Sequence, residues 1–556
     1  MRFLQILSAN MRRKLIFGYV MGLIYSAFWV VGAELARDWR WRLPDSLGGL
    51  FLRVFLVALP IGGLVYLLLT ALEFMKGHAT DSKDSGGHSI LVRRPTDIRL
   101  MIILFAIIFL AWFVCFLAFY PGIFAYDAPD HISDVYNWTM STHHPIFHTL
   151  MVAGLFGFGG TVLNSWTAGL AIYTLINMTA LAGAAAYSLV FMRRLRIPVW
   201  LWAIGALFLA ASPVIALLAV SVTKDIIFSA LCVFLFLFML EAVLEPEAFF
   251  RSKWLQARFV ATIVMMTLFR NNGIYALILC VPFLIIAMRG KAWRMAWLCV
   301  GGVVLYMLTA TALQVATRAE RGSIAEALSV PIQQLSRVYN VKNDELDQDT
   351  RESLNRLMHT IWNYHPMIAD PPKFSWDDDV FRAERRYFIR LWAQLGRRYP
   401  REYANAFLMN TYMLWYVNFD YRVALTWIET EAKHGGREEL FPAPVLPGLQ
   451  RFYQNFHDRE FLSRHRFVTV LHSPALVTWL FIFVLGVNWY LKKYEFLYPT
   501  MFLVGLWLTV VLAPIILPRY VLMFYVLMPF LVGMCVVPGH KIGGNGNKPI
   551  DLNTMS

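Results

Sequence analysis

The chain has 556 residues, 58% hydrophobic and 15% aromatic, with a mean hydropathy of +0.53. A soluble protein of this length cannot hide that much apolar surface, and repeated apolar runs of about 20 residues match the hydrocarbon core of a bilayer. The net charge of +14 does not point to nucleic acid, because Lys and Arg sit in short clusters between the apolar runs, as in loops that orient a membrane protein.

The predicted class is all-α, a polytopic helical membrane protein, because lipid admits only helices and closed barrels as spanning structures. "MRRKLIFGYVMGLIYSAFWVVGAEL" starts with basic residues and continues as an apolar run too long for a signal core. It reads as a first span. The chain then predicts about 12 spans, at roughly 14–34, 50–75, 99–119, 164–191, 198–219, 226–243, 257–270, 274–288, 295–315, 467–488, 496–516 and 520–538. The organisation follows: a two-span region at 1–98, a membrane core at 99–315 with an external loop at 120–163, a polar insert at 316–466, a three-span region at 467–538 and a tail at 539–556. Cys115, Cys232, Cys280, Cys299 and Cys535 all fall inside apolar runs, so they carry no disulfide or metal argument.

One set of loops holds Arg12, Arg13 and Lys14, then Lys76, Lys83, Arg93 and Arg94, Arg193, Arg194 and Arg196, Arg251, Lys253 and Arg258, Arg289, Lys291 and Arg294, Lys492 and Lys493, and Lys541. The opposite short loops carry far fewer: Arg37, Arg40, Arg42, Lys224, Arg270 and Arg519. The positive-inside rule places the first set, and both termini, in the cytoplasm of a cell-membrane protein. This works only if "HHPIFHTLMVAGLFGFGG" does not cross, so 145–160 is expected to lie at or dip into the outer interface, started by Pro145. The insert then faces outward as mostly helical, mixed-charge structure, with "YANAFLMNTYMLWYV" as an interfacial helix.

The loop after the third span, "YPGIFAYDAPDHISDVYNWTMSTHHPIFHTL", carries three Asp and four His but no Lys or Arg. Its expected cationic partners are Lys224 in "SVTKD", Arg270 in "RNNG" and Arg519 in "PRY", all at outer ends of spans. Ionisable groups there are functional candidates by default. Asp127, with Asp130 as a second acid, is the candidate general base on an acceptor hydroxyl. Lys224, Arg270 and Arg519 are candidates to neutralise a phosphate, with His143, His144, His148, Asp225, Asn271 and Tyr520 as further substrate contacts.

Each has a plainer reading. The acids solvate a loop, Lys224 and Asp225 pair with each other, Arg519 snorkels to headgroups, and Arg270 bonds carbonyls freed at the break before Gly273. His144 and His148, four apart, share a helix face suited to zinc, but no third ligand has recognisable spacing. Helix capping or substrate contact is preferred, no metal is assigned, and a divalent cation is left open. "WDDD" at 376–379 reads as a solvated turn, and Trp362, Trp376, Trp392, Trp415 and Trp427 as core more than as sugar platforms.

"YPGIFAYDAPD", "HHPIFHTL", "SVTKDIIFSA", "RNNGIYAL" and "LPRYVLMFYVLMPF" together resemble the GT-C superfamily of multispan glycosyltransferases, and within it an uncharacterised group of bacterial multipass proteins. The resemblance covers about 99–290 and the last two spans, and it does not reach the insert. It implies a polyprenyl-phosphate-linked sugar as donor and an envelope glycan, lipid or protein as acceptor. It also implies Asp127 as base, with Lys224 and Arg519 where the lipid phosphate is held. The usual "HPPL"-like segment is here His144-Pro145-Ile146. Two rivals stand beside this reading: a transporter or flippase of a lipid-linked or anionic substrate, and a non-catalytic envelope assembly protein.

Overall fold

The computed structural model describes residues 2–38, 47–79, 95–418, 428–431 and 444–537. The expectations for Arg40, Arg42, Lys83, Arg93, Arg94, Trp427 and Lys541 lie outside them. Among the described residues the chain is helical, with no strand beyond isolated bridges.

In chain order the helices are α1 (Arg2–Asp38), α2 (Leu47–Ala79), α3 (Pro95–Ala118), α4 (Ala128–Tyr136), α5 (Ile146–Val162), α6 (Trp166–Arg194), α7 (Val199–Ala211), α8 (Pro213–Ala219) and α9 (Lys224–Leu244). Then follow α10 (Pro246–Arg251), α11 (Lys253–Phe269), α12 (Gly273–Met288) and α13 (Ala292–Thr317). Shorter helices, α14 (Ser329–Val341) through α22 (Arg466–Leu471), build the insert, and α23 (Pro474–Tyr490), α24 (Tyr494–Val511) and α25 (Leu522–Val536) close the chain.

Eight described helices are long and apolar enough to cross a membrane, or nine if α7 and α8, bent by 58°, count as one. The remaining three expected spans are helices too, α11, α12 and α23, but they are shorter than 18 residues. Ser-Pro pairs make two of the cuts, before α8 and before α23. Ser212 caps α8 through the Ile215 N–H at 3.3 Å, and Ser473 caps α23 through the Leu476 N–H at 3.1 Å, each with proline in the first turn.

The bundle is layered. The apolar windows of α9 and α25 are 89% and 83% buried, whereas that of α13 is 11% buried, so α9 and α25 form the centre and α13 the rim. A helix apolar on all sides is stable at either place only if lipid replaces water at the rim.

The ends of the bundle differ. At one, Arg193 and Arg194 meet Asp97 at 2.9 and 3.5 Å, Arg194 and Arg258 meet Glu241, and Lys493 donates to the carbonyls of Met534, Cys535 and Val537. Lys14 pairs with Glu73, and Tyr490 donates to Asn10 at 3.5 Å, so α1 begins at this same end. The basic loops within the described residues therefore share one end, as the charge pattern requires.

The insert sits at the other end. It has a core of its own built on Ile332, Leu354, Phe381, Leu391 and Leu395, which takes in Trp376 and Trp392 at its margin. The expected interfacial helix over 403–417 is cut short. α19 (Pro400–Asn410) stops at Asn410, and Tyr412 to Tyr416 turn into the bundle, with Trp415 and Tyr416 against Phe28 and Trp29. Trp362 is exposed. "WDDD" is a cap, with Asp377 accepting from the Asp379 and Val380 N–H groups.

α5 is a hairpin partner of α6. His148 meets Tyr173, while Gly159 lies against Gly169 and Gly160 against Trp166.

Candidate functional site

Two loops build the site, and α6 backs both. Ile123 N–H donates to the Val220 carbonyl at 2.9 Å, and Val222 N–H returns a bond to Ile123 at 3.0 Å, which fixes the loop before α4 beside the loop before α9. Thr174 bonds the Pro121 carbonyl at 2.9 Å, Asn177 the Ser221 carbonyl at 3.0 Å and Tyr173 the Thr223 carbonyl at 3.2 Å. Gly122 has φ +128°, and a Cβ there would overlap the Thr174 hydroxyl, so the approach requires glycine. Tyr126 holds φ +56°, an uncommon conformation for an aromatic residue, immediately before Asp127. Strain of this kind, about 1–3 kcal/mol, persists only where surrounding structure enforces it.

Asp127 is the N-cap residue of α4 and is partly exposed. Lys224, at the start of α9, donates to its Oδ2 at 2.6 Å and to His144 Nδ1 at 3.1 Å. Burial disfavours the Asp127 carboxylate, but Lys224 and Arg519 outweigh it and hold the carboxyl well below its ordinary range. Burial, reinforced for His144 by Lys224 and for His131 by His148 and Lys224, pushes both imidazoles down to about 2, so they are neutral.

Asp225 is buried and does not pair with its neighbour Lys224. It takes Arg270 on one oxygen and lies 3.4 Å from Arg519 Nε on the other, with Thr223 at 3.2 Å. Arg519 is only 7% exposed, so it does not snorkel, and its guanidinium lies over the rings of Tyr126 (4.2 Å) and Tyr520 (5.2 Å). Arg270 also lies over the Tyr520 ring, at 4.5 Å. Arg519 Nη1 has no hydrogen-bond partner among the described residues, and its Nε is too poorly aligned with Asp225 to form one. Burial pushes the Tyr126 hydroxyl up to about 12 against the pull of Arg519, and that hydroxyl accepts the Glu429 N–H from the insert at 2.9 Å.

The expected residues thus divide. Asp127, His144, Lys224, Asp225, Arg270, Arg519 and Tyr520 converge. Asp130 is exposed one turn along α4, outside this buried set. His143 turns to the insert, 3.6 Å from Glu326. Asn271 is exposed and accepts from Tyr306 on α13. His148 is buried against Tyr173 at 2.7 Å, and it shares no helix face with His144, because α5 starts only after Pro145. His131 was not expected and is central. It is 1% exposed, bonded through Nδ1 to Thr149 at 2.8 Å, with its ring 4.5 Å from that of His144. Its spacing of four from Asp127 was the available signal.

A family model, DUF6020, described as a family of unknown function, matches residues 137–541. No curated protein and no solved structure matches the chain. The chain belongs to the DUF6020 family, and the matched region begins just after Asp127 and His131 and contains Lys224, Arg270 and Arg519.

Proposed function

We propose that this DUF6020 protein is a GT-C-like integral-membrane glycosyltransferase. It has twelve crossings, cytoplasmic termini and an extracytoplasmic site, and it moves a sugar from a polyprenyl-phosphate donor to a cell-envelope acceptor. The observation that carries this is Arg519: a buried guanidinium with an unpartnered Nη1, beside a Lys224–Asp127 pair at the end of the bundle that bears the insert. A charged donor left without a partner in low dielectric is costly, and an oxyanion is its complement.

In the reaction the donor phosphate lies against Arg519 and draws the Lys224 ammonium from Asp127. Paired to Lys224, Asp127 is too weak a base; relieved of it, its basicity rises toward the range useful for proton transfer. The acceptor oxygen attacks the anomeric carbon, its proton passes to Asp127, and the sugar–phosphate bond breaks with inversion. The leaving phosphate gains negative charge, which Lys224 and Arg519 stabilise as it develops. Asp225 positions the two arginines and does no chemistry. The insert, joined to the His143 loop by the Thr142–Glu320 backbone bond at 2.8 Å, is suited to present the acceptor. A flippase is less well supported: its charged groups belong near the bilayer midplane, whereas these cap one end.

The test is purified full-length protein in detergent with a panel of radiolabelled polyprenyl-phosphate sugars and an envelope extract as acceptor. Wild type transfers label from one of them, and Asp127→Asn transfers none above background. Equal transfer by both proteins would remove Asp127 from the mechanism.

A further inference from the structure

Lys224 is not the best cation for the groups it touches. One donor atom from each of Asp127, His131 and His144 lies within 4.8 Å of the other two. The set comes from two separate segments, the start of α4 and the turn before α5, which face each other across the Lys224 side chain. His131 Nε2 is buried and has no hydrogen-bond partner among the described residues, while its Nδ1 is held by Thr149. With Nδ1–H donated to the Thr149 hydroxyl, the Nε2 lone pair is fixed and free. That is the arrangement in which an outer hydrogen bond orients an imidazole ligand. His144 Nδ1 already accepts from an ammonium, so its lone pair also points at a cation.

We propose that Asp127, His131 and His144 form a binding site for a divalent transition metal, zinc being the probe, with a fourth position open to water or a substrate oxygen. Two imidazoles and a carboxylate suit zinc-class ions and disfavour magnesium or calcium, which prefer all-oxygen shells. Metal–ligand distances near 2.0–2.2 Å place tetrahedral donors about 3.3–3.6 Å apart, so the three side chains must close by up to about 1.5 Å from a spacing of at most 4.8 Å. Asp127 and His144 are partly exposed and give the ion its way in. The ion and Lys224 compete for the same carboxylate and the same imidazole nitrogen. A metal-loaded site therefore releases Lys224 and withholds Asp127 from proton transfer. The binding claim does not rest on the transfer reaction and is measured without it.

The experiment uses chelator-washed full-length protein in detergent, zinc chloride as ligand, and competition with a chromophoric chelator, with bound metal counted by elemental analysis. Wild type is expected to bind one zinc per chain. His131→Ala and His144→Ala each weaken binding by at least about tenfold, and Thr149→Val, which frees the His131 ring, does so by about tenfold. His143→Ala, whose imidazole faces Glu326, binds as wild type does. Lys224→Met binds at least about tenfold more tightly, because the competing charge is gone, and misfolding cannot imitate that gain. Zinc binding in wild type that is indifferent to His131→Ala, or a Lys224→Met variant with no gain, overturns the site.

Discussion

Asp225 is the single anion between two guanidiniums, and its replacement by Asn tests whether the far side of the site is scaffold. Asn keeps the shape and removes the charge. The carboxylate side chain is 1% exposed, Arg519 8% and Arg270 18%, so water cannot take over either cation. Removing one partner of such a buried pair costs about 3–5 kcal/mol, because the penalty is an unpaired charge and not merely a lost contact. We expect Asp225→Asn to lose at least about 3 kcal/mol and Asp127→Asn about 1 kcal/mol, since Asp127 and Lys224 remain partly solvated. The measurement is reversible unfolding in mixed micelles with rising SDS, followed by circular dichroism. A second step isolates the cause. Arg519→Met placed in the Asp225→Asn background removes one orphaned cation and should recover about 1–3 kcal/mol, a coupling that only interacting residues show. An Asp225→Asn protein within about 0.5 kcal/mol of wild type would refute the argument, because that is the scatter of surface substitutions.

Gly122→Ala is expected to cost about 2 kcal/mol or more, from a positive φ and an overlap with Thr174, and to disturb Asp127 with it; the same unfolding assay reads it. In the insert, Lys373 bridges Asp370 at 2.6 Å and Glu326 at 2.8 Å. Burial works against its ammonium, but the two carboxylates prevail and raise its pKa above the usual value. A raised lysine pKa adds stability that is complete below the unfolded value near 10.4 and fades as pH rises through the folded one, so Lys373→Met should lose about 1–2 kcal/mol, undiminished from neutral pH to about pH 10. Hydrogen exchange at the Lys373, Phe374 and Trp376 amides, which close the turn around this lysine, checks this. Cysteines placed at the exposed positions 130 and 196, in a protein stripped of its own five, should be labelled by an impermeant maleimide from opposite faces of the membrane; labelling of both from one face would undo the topology.

The gross architecture was legible because hydrophobic run length and basic-loop position are one-dimensional signals. All twelve apolar segments became helices, and the described basic loops gathered at one end. What run length does not show is where a helix stops: His472-Ser473-Pro474 and Ser212-Pro213 cut apolar runs that hydropathy reads as continuous. The site was legible in its charges, since Asp127, Lys224, Arg270 and Arg519 stand out where apolar runs end. It was not legible in its pairings. Lys224 and Asp225 are adjacent in sequence, but successive helical residues point about 100° apart, so one reaches Asp127 and the other the arginines. His131 was overlooked because its partner His144 lies across a turn, and Asn271 was over-read because the chain turns outward directly after Arg270.

One cluster at each end of the bundle sets three cations around two anions, and comparing the two separates structure from function. At the basic end Arg193, Arg194 and Arg258 surround Asp97 and Glu241; at the other Lys224, Arg270 and Arg519 surround Asp127 and Asp225. In the first, Arg193 is 36% exposed and water solvates the surplus charge, while Arg194 and Arg258, whose Nε atoms also lack hydrogen bonds, are each paired with a buried acid. In the second no cation is more than 18% exposed, and the surplus falls on Arg519, whose Nη1 has no hydrogen-bond partner among the described residues. A purely structural network has no reason to retain that group, because with Asp225 already held by Arg270 the second buried guanidinium is surplus and is replaced by an apolar residue at no loss, or with a gain. Arg519→Met should then leave the ligand-free protein within about 1 kcal/mol of wild type, or more stable, while Arg194→Met, whose charge is shared between two buried acids, loses about 3 kcal/mol. The same Arg519→Met protein should no longer be stabilised by a polyprenyl phosphate that raises the unfolding midpoint of wild type. Should Arg519→Met instead be as damaging as Arg194→Met, the arginine is there to hold the bundle together, and the case for an anion at this end loses its main support.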